Sequence, residues 1–268
     1  MRKIMYLSAI LLMFAVSDAC AKKVESNRYF YYYKPHNWKK HSSCIDDSMH
    51  LPIDSIKHAI DTKKIDYVFF QSCSLVGLLW NRYVQGDKHV GEQELMFSYD
   101  TDNGDIRKTD EIDTLLTYIR EQNLSGKTKI KIRGFVLSGN RGVYSGEFHR
   151  VPEYEQTSIL DLLSLYYNLL LIESYNEHIF DYLQKLACYA EKMMVSNKQI
   201  KHLLKDEYDI WLKRICELKL MTKFRRDMDD EEIEEALCKD FQWMDKQCPG
   251  NKIIICPKTL GDKLAKLK

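Results

Sequence analysis

The segment KIDYVFFQSCSLVGLLWNRYVQGD, Lys64 to Asp87, constrains this chain more than any other stretch. Its opening run, Ile65 to Phe70, is short, apolar and rich in Val, Phe and Tyr, which reads as a buried strand. A helical pattern follows: Leu75, Leu78, Leu79, Arg82 and Tyr83 share one face at three- and four-residue spacing. Between strand and helix stand Gln71, Ser72, Cys73 and Ser74. A buried strand feeding a helix belongs to a parallel α/β unit, and residues just past its carboxyl end face the ligand crevice. Gln71 is therefore the first candidate functional residue. The plain alternative is a polar strand end that binds nothing.

The rest of the chain repeats the pattern. Pro52 suits a first helical turn, and Ile53, Ile56 and Ile60 mark an apolar helix face. Asp110 to Gln122 predicts a helix with Ile112, Leu115, Leu116 and Ile119 on its buried side. Lys129 to Phe135 alternates charged and apolar residues, as a strand does. From Glu155 to Asp245 the periodicity is helical, in segments 159–172, 179–194, 200–220 and 231–247. The acidic run Asp229 to Glu235 fits a solvated first turn favoured by the helix dipole. Pro249-Gly250 stops the last of these helices. Ile253 to Cys256 is a third buried strand, and Leu260 to Leu267 a short basic tail helix. Tyr29 to Tyr33, within a basic and aromatic stretch, reads as an edge strand or as a tether lying on the domain. The expected fold is α/β: a mostly parallel sheet with flanking helices, and a helical insertion, about 155–220, over the strand carboxyl ends. The expected organisation is a leader over 1–21, an aromatic tether over 22–45 and one domain over 46–268.

The leader expectation comes from Arg2 and Lys3 before an apolar core, Ile4 to Val16, and from Ala19-Cys20-Ala21, a small-x-small cleavage site. Cleavage after Ala21 predicts export to the periplasm or beyond. Acylation at Cys20, as in a bacterial lipoprotein, is the alternative. No later segment approaches about eighteen consecutive apolar residues, so no transmembrane segment is expected. The formal net charge of +1 gives no electrostatic case for nucleic acid. Without Cys20, seven of the eight cysteines remain, an odd number that implies a free thiol or an intermolecular link. Cys238, Cys248 and Cys256 cluster closely enough for one disulfide; buried thiols are the other reading. No C-x-x-C pair and no zinc-like spacing occurs, so no metal is expected.

Nucleophile elbow, phosphate-loop, zinc-protease and dinucleotide fingerprints are all absent. What the chain does present is an order of pieces. A strand ends in YVFFQ (Tyr67 to Gln71) and a helix carries WNRYVQGD (Trp80 to Asp87). An amphipathic helix ends in LLTYIREQN (Leu115 to Asn123) and a strand reads KIRGFVL (Lys131 to Leu137). A late helix, turn and strand read FQWMDKQCPGNKIII (Phe241 to Ile255), and TLGDKL (Thr259 to Leu264) follows. In this order the chain resembles the erythromycin esterase family over most of residues 46 to 268.

The resemblance implies an ester-hydrolysing ancestry, a small-molecule ligand and no cofactor. It also implies a site around His50, Gln71, Asn81 and Val136, to which Cys73 is added by its place just past the strand. The departures are specific. The family's histidine stands in a G-E-x-x-H-G loop, whereas His50 stands in I-D-D-S-M-H-L. The family's strand-end glutamate is Gln71 here, and the aspartate of its G-F-D is Val136. Its late A-H-N-x-H loop is missing after Ile255. A neutral imidazole with a pKa near ~6.5 suits activation of water, but His50 would work without its acidic partners. The sequence thus predicts a catalytically degenerate, at most ligand-binding member. The rivals are a hydrolase rebuilt around His50 and perhaps Cys73, and an interaction protein using Tyr29 to Tyr33.

Overall fold

Four apolar runs become four strands: β1 (Arg28–Tyr33), β2 (Tyr67–Cys73), β3 (Lys131–Val136) and β4 (Lys252–Pro257). In the computed structural model they form one sheet in the order β1-β4-β2-β3, with every neighbouring pair parallel. The structure describes residues 27–33, 51–88, 110–137, 178–220 and 228–267. Among these the α-helices are α1 (Ile53–Thr62), α2 (Ser74–Val84), α3 (Asp110–Leu124), α4 (His178–Ser196), α5 (Lys198–Leu204), α6 (Tyr208–Leu220), α7 (Asp230–Gln247) and α8 (Lys258–Leu264). The protein is α/β, as the periodicities predict. The leader, His50 and the predicted helix over 159–172 lie outside the described residues.

The two sheet faces carry different helices. In parallel register Phe69 stands beside Ile254, and Phe70 beside Ile255. Phe69 meets Phe241 of α7 edge to face, with ring centroids 6.1 Å apart, and Phe135 meets the same ring at 5.5 Å. Phe70 points the other way, into Trp80 of α2 at 5.0 Å. All five aromatics are fully buried. Burial of such a side chain contributes about 1.5–3 kcal/mol, so this double layer is a principal support of the sheet. Helix α8 lies on the α7 face, with Gly261 against Tyr32 and Cys256.

Of the two readings of Tyr29 to Tyr33, the structure takes the edge strand: all six residues of β1 pair with β4. The opposite edge, β3, is sealed by side chains. Asn81 Oδ1 accepts from the Ile132 N–H at 3.0 Å. Asn123 accepts from the Ile130 N–H and donates to the Ile130 carbonyl. Asp240 accepts from the Leu137 N–H at 2.8 Å. Side-chain partners of this kind satisfy edge groups that another chain would otherwise pair with.

The continuous helix expected over 200–220 is broken. A 3₁₀ turn, Lys205–Glu207, separates α5 from α6, and Lys205 takes φ of 49°. A left-handed lysine is uphill, yet no glycine or proline announces it. The turn sets Asp206 against Lys131 at 2.7 Å and Glu207 against Arg82 at 2.8 Å. Through these two pairs the turn ties the described part of the insertion to β3 and α2.

The acidic run behaves as a helix start. Asp229 accepts from the Glu232 N–H at 2.8 Å, and Glu232 accepts from the Asp229 N–H at 3.0 Å, a complete capping box. Asp229→Ala is expected to lower the unfolding free energy by about 1 kcal/mol, seen as a shift in the urea midpoint at unchanged slope.

Candidate functional site

The carboxyl end of β2 is where helices part to opposite faces. Strand β2 runs into α2 on one face, and its neighbour β4 runs into α8 on the other. Adjacent strands whose following helices diverge open a crevice between them, the usual ligand position in an open parallel sheet. Gln71 lies there, buried, and its Oε1 accepts a hydrogen bond from the Tyr33 hydroxyl at 3.3 Å. Tyr33 comes from β1, with β4 in between. The bond thus ties the ends of two strands that never touch in the ladder.

Strand and helix meet without an intervening loop. Residues 71–73, expected as connection, continue β2, and α2 begins at Ser74. The register of β2 against β3 slips between Phe70 and Cys73, which leaves Cys73 beside Val136. A slip of this kind re-aims the residues at a strand end. Ser72 and Ser74 are both buried at 1% exposure, and among the described residues neither hydroxyl has a hydrogen-bond partner. The Trp80 indole N–H, fully buried, has none either.

Four of the five predicted site residues can be located. Gln71, the Cys73 backbone and Val136 lie at the carboxyl ends of β2 and β3. Asn81 does not join them. It sits two turns into α2, and its Oδ1 is held by the Ile132 amide in the amino half of β3. Its role is to seal a strand edge. His50 lies outside the described residues. Sequence reasoning missed Tyr33, Ser72, Ser74 and Asp240, all buried at the same end of the sheet. The position of Ser72 and Ser74 beside Gln71 was visible; their burial without partners was not.

The thiols offer little chemistry. Cys188, Cys216, Cys238, Cys248 and Cys256 are all free, so the disulfide considered among the last three does not form. Cys256, on β4, is pushed up to about 12, mainly by burial and secondarily by Asp262. Burial also raises Cys248, although Arg133 and Lys252 act against it. Both stay protonated near neutrality, and a protonated thiol is a poor nucleophile. Charge concentrates instead at the amino ends of the strands, where Asp245 pairs with Arg28 at 2.8 Å and with buried Lys252 at 2.9 Å. That cluster pins β1 and β4 to α7. Among the described residues no group of His, Cys, Asp and Glu is arranged to hold a metal, and no helix is long and apolar enough to cross a membrane.

The parallel sheet and its flanking helices define an open α/β protein. No protein family matches the chain by sequence, and no curated protein does. Solved structures do match. A crystal structure of a Bacillus cereus protein aligns with a TM-score of 0.51 and 16% identity, covering 80% of this chain and 58% of its own. A succinoglycan biosynthesis protein aligns with a TM-score of 0.44 and 20% identity, covering 76% of this chain and 52% of its own. A mutant of erythromycin esterase EreC in its open conformation aligns with a TM-score of 0.40 and 10% identity, covering 76% of this chain and 55% of its own. The chain therefore spans little more than half of each. At 16% identity the Bacillus cereus match bears on the fold alone.

Proposed function

We propose that the protein is an exported, divergent relative of the erythromycin esterases that binds a small molecule at the strand carboxyl ends and does not hydrolyse it. The observation that carries this reading is Gln71. It stands where the resemblance implies a glutamate, is buried, and has its carboxamide oxygen engaged by Tyr33. A carboxamide does not ionise at any working pH, so it cannot serve as acid or base. Val136, where the resemblance implies an aspartate, is fully buried and apolar. Water attack on an ester needs a base near neutral pKa and stabilisation of the oxyanion. His50 alone supplies at most the general-base share, about 10²- to 10⁴-fold.

The family part of the reading is supported by its motifs, which fall on the elements the resemblance requires. Tyr67 to Gln71 is strand, Asn81 is helix, Gly134-Phe135 lies in β3, and Gly261 lies in α8. The test is lactone hydrolysis by the purified mature chain, by His50→Ala and by Gln71→Glu, with macrolide binding followed by thermal shift. The expected result is binding by wild type and hydrolysis by none of the three. Wild-type turnover that disappears in His50→Ala would promote a site rebuilt around that histidine. Export is tested separately: intact mass from the envelope fraction should start at Lys22. A mass retaining residues 1 to 21 rejects cleavage, and a lipid increment on Cys20 supports the anchored form.

A further inference from the structure

Two buried hydroxyls without partners within three residues are unusual, since buried polar side chains almost always find a partner. Ser72 and Ser74 are such a pair. They flank the junction at which β2 becomes α2, and Ser74 is the first residue of that eleven-residue helix. The first N–H groups of a helix have no intrahelical acceptor, and the dipole is positive there. No acidic residue lies in the first turn of α2 to neutralise it. Gln71, just before, has its oxygen committed to Tyr33, which leaves its amide N–H₂ as the group still able to bond a ligand. Donors of three kinds therefore stand within four residues of one strand end: helix amides, two serine hydroxyls and a carboxamide.

We propose that the β2–α2 junction binds a small oxyanion, the carboxylate or phosphate group of an acidic ligand, with the Ser72 and Ser74 hydroxyls donating to it. The inference rests on the proposed reading that a ligand binds at the strand carboxyl ends, and it narrows what that ligand is. Helix N-termini with polar side chains beside them are suited to such groups. The glutamate implied at position 71 would repel an anion; Gln71 does not. The replacement that removes acid–base chemistry is the same one that admits negative charge. Among the described residues the two serine hydroxyls find no partner, and in this proposal the ligand supplies it.

The test uses the mature chain and compares sodium acetate and sodium phosphate with sodium chloride at equal ionic strength, by thermal shift and calorimetric titration. The expected result is that one of the two anions raises the wild-type melting temperature. Ser72→Ala and Ser74→Ala should each weaken that anion about tenfold, the share of one charge-assisted hydrogen bond. Gln71→Glu should abolish the response. Without anion, both serine variants should melt at or above wild type, because each deletes an unsatisfied hydroxyl; a purely structural hydroxyl would behave oppositely. Preference for phosphate over acetate identifies a phosphate group, and the reverse a carboxylate. Lys63→Ala and Lys127→Ala serve as controls. They line a separate cleft of about 570 Å³ at the turns leading into β2 and β3. No anion response in wild type, a response unchanged in both serine variants, or one lost only in the lysine variants would overturn the proposal. An anion response without macrolide binding removes the esterase-like reading and leaves this one standing. Macrolide binding without an anion response does the reverse.

Discussion

Gly77→Ala should lower the unfolding free energy by more than about 3 kcal/mol, an effect at the severe end for a single methyl group. Two effects compete at this position. Alanine is the better helix former, by about 1 kcal/mol in a helix interior, so propensity alone predicts a stabilised protein. Packing predicts the opposite. A methyl built on Gly77 would lie 1.8 Å from the Gly134 amide nitrogen and 2.7 Å from the Arg133 carbonyl carbon. Both contacts are to backbone, which no rotamer change relieves, so α2 must rise off β3. That movement would pull Asn81 away from the Ile132 amide and Trp80 away from Phe70, since both are carried by the same helix. Gly126→Ala is the informative control. Gly126 has φ of 75° and nothing within 4 Å, so only backbone strain is at stake and a loss of about 1 kcal/mol is expected. Urea unfolding of the two variants side by side gives the comparison. A Gly77→Ala midpoint at or above that of Gly126→Ala would mean that α2 does not rest on β3 as described.

The same helix shows what a sequence reveals and what it hides. The existence of α2 and β2 was legible, from a helical period and from a continuous apolar run, and so were β3, β4 and the N-terminus of α7; the buried side of α2 was not, since it carries Trp80, Asn81 and Val84 beside Leu78 and Tyr83. Gly77 was not, because a glycine inside a helical pattern looks like weak propensity until a neighbouring strand is seen against it. Pairings between distant segments were equally hidden. Nothing local in β1 announces that it pairs with β4, more than two hundred residues on, or that Tyr33 bonds Gln71 across it. Asn81 illustrates the opposite error. Its motif placed it correctly on α2, but helix phase turned its side chain toward the β3 edge and away from the strand ends. At Lys205 the sequence carries no breaker at all. The turn is imposed from outside, by Lys131, Arg133 and Arg82 drawing Asp206 and Glu207 inward.

That attachment underlies the second large effect: Arg82→Ala should destabilise the protein by about 3–5 kcal/mol near neutral pH. Arg82 grips Glu207 with both arms of its guanidinium, Nε to Oε1 at 2.9 Å and Nη2 to Oε2 at 2.8 Å. The Trp211 indole N–H approaches the same carboxylate at 3.4 Å. Exposure is only 14% for the Arg82 side chain and 9% for Glu207, so water cannot replace a lost partner. The neighbouring Lys131–Asp206 pair, at 39% and 52%, is open to solvent, and Lys131→Ala should cost no more than about 1 kcal/mol. The pH dependence separates charge from packing. Burial pushes the Glu207 carboxyl above the usual glutamate range, although Arg82, Trp211 and Arg133 pull it back. A raised pKa means that the folded chain holds the proton more tightly than the unfolded one. The stability it contributes is present below the ordinary glutamate pKa and is lost as pH rises through the folded value. The charged form of Glu207 carries a burial cost that Arg82 offsets, and removing Arg82 exposes that cost. As pH is lowered from neutrality into the acid range, the carboxyl in Arg82→Ala takes up its proton and the penalty should shrink. Adding Glu207→Gln to Arg82→Ala should recover much of the loss at neutral pH, because a neutral amide needs no counter-charge. An Arg82→Ala penalty that is the same at both pH values and untouched by Glu207→Gln would mean that Arg82 holds the helices by its methylene packing and not by its charge.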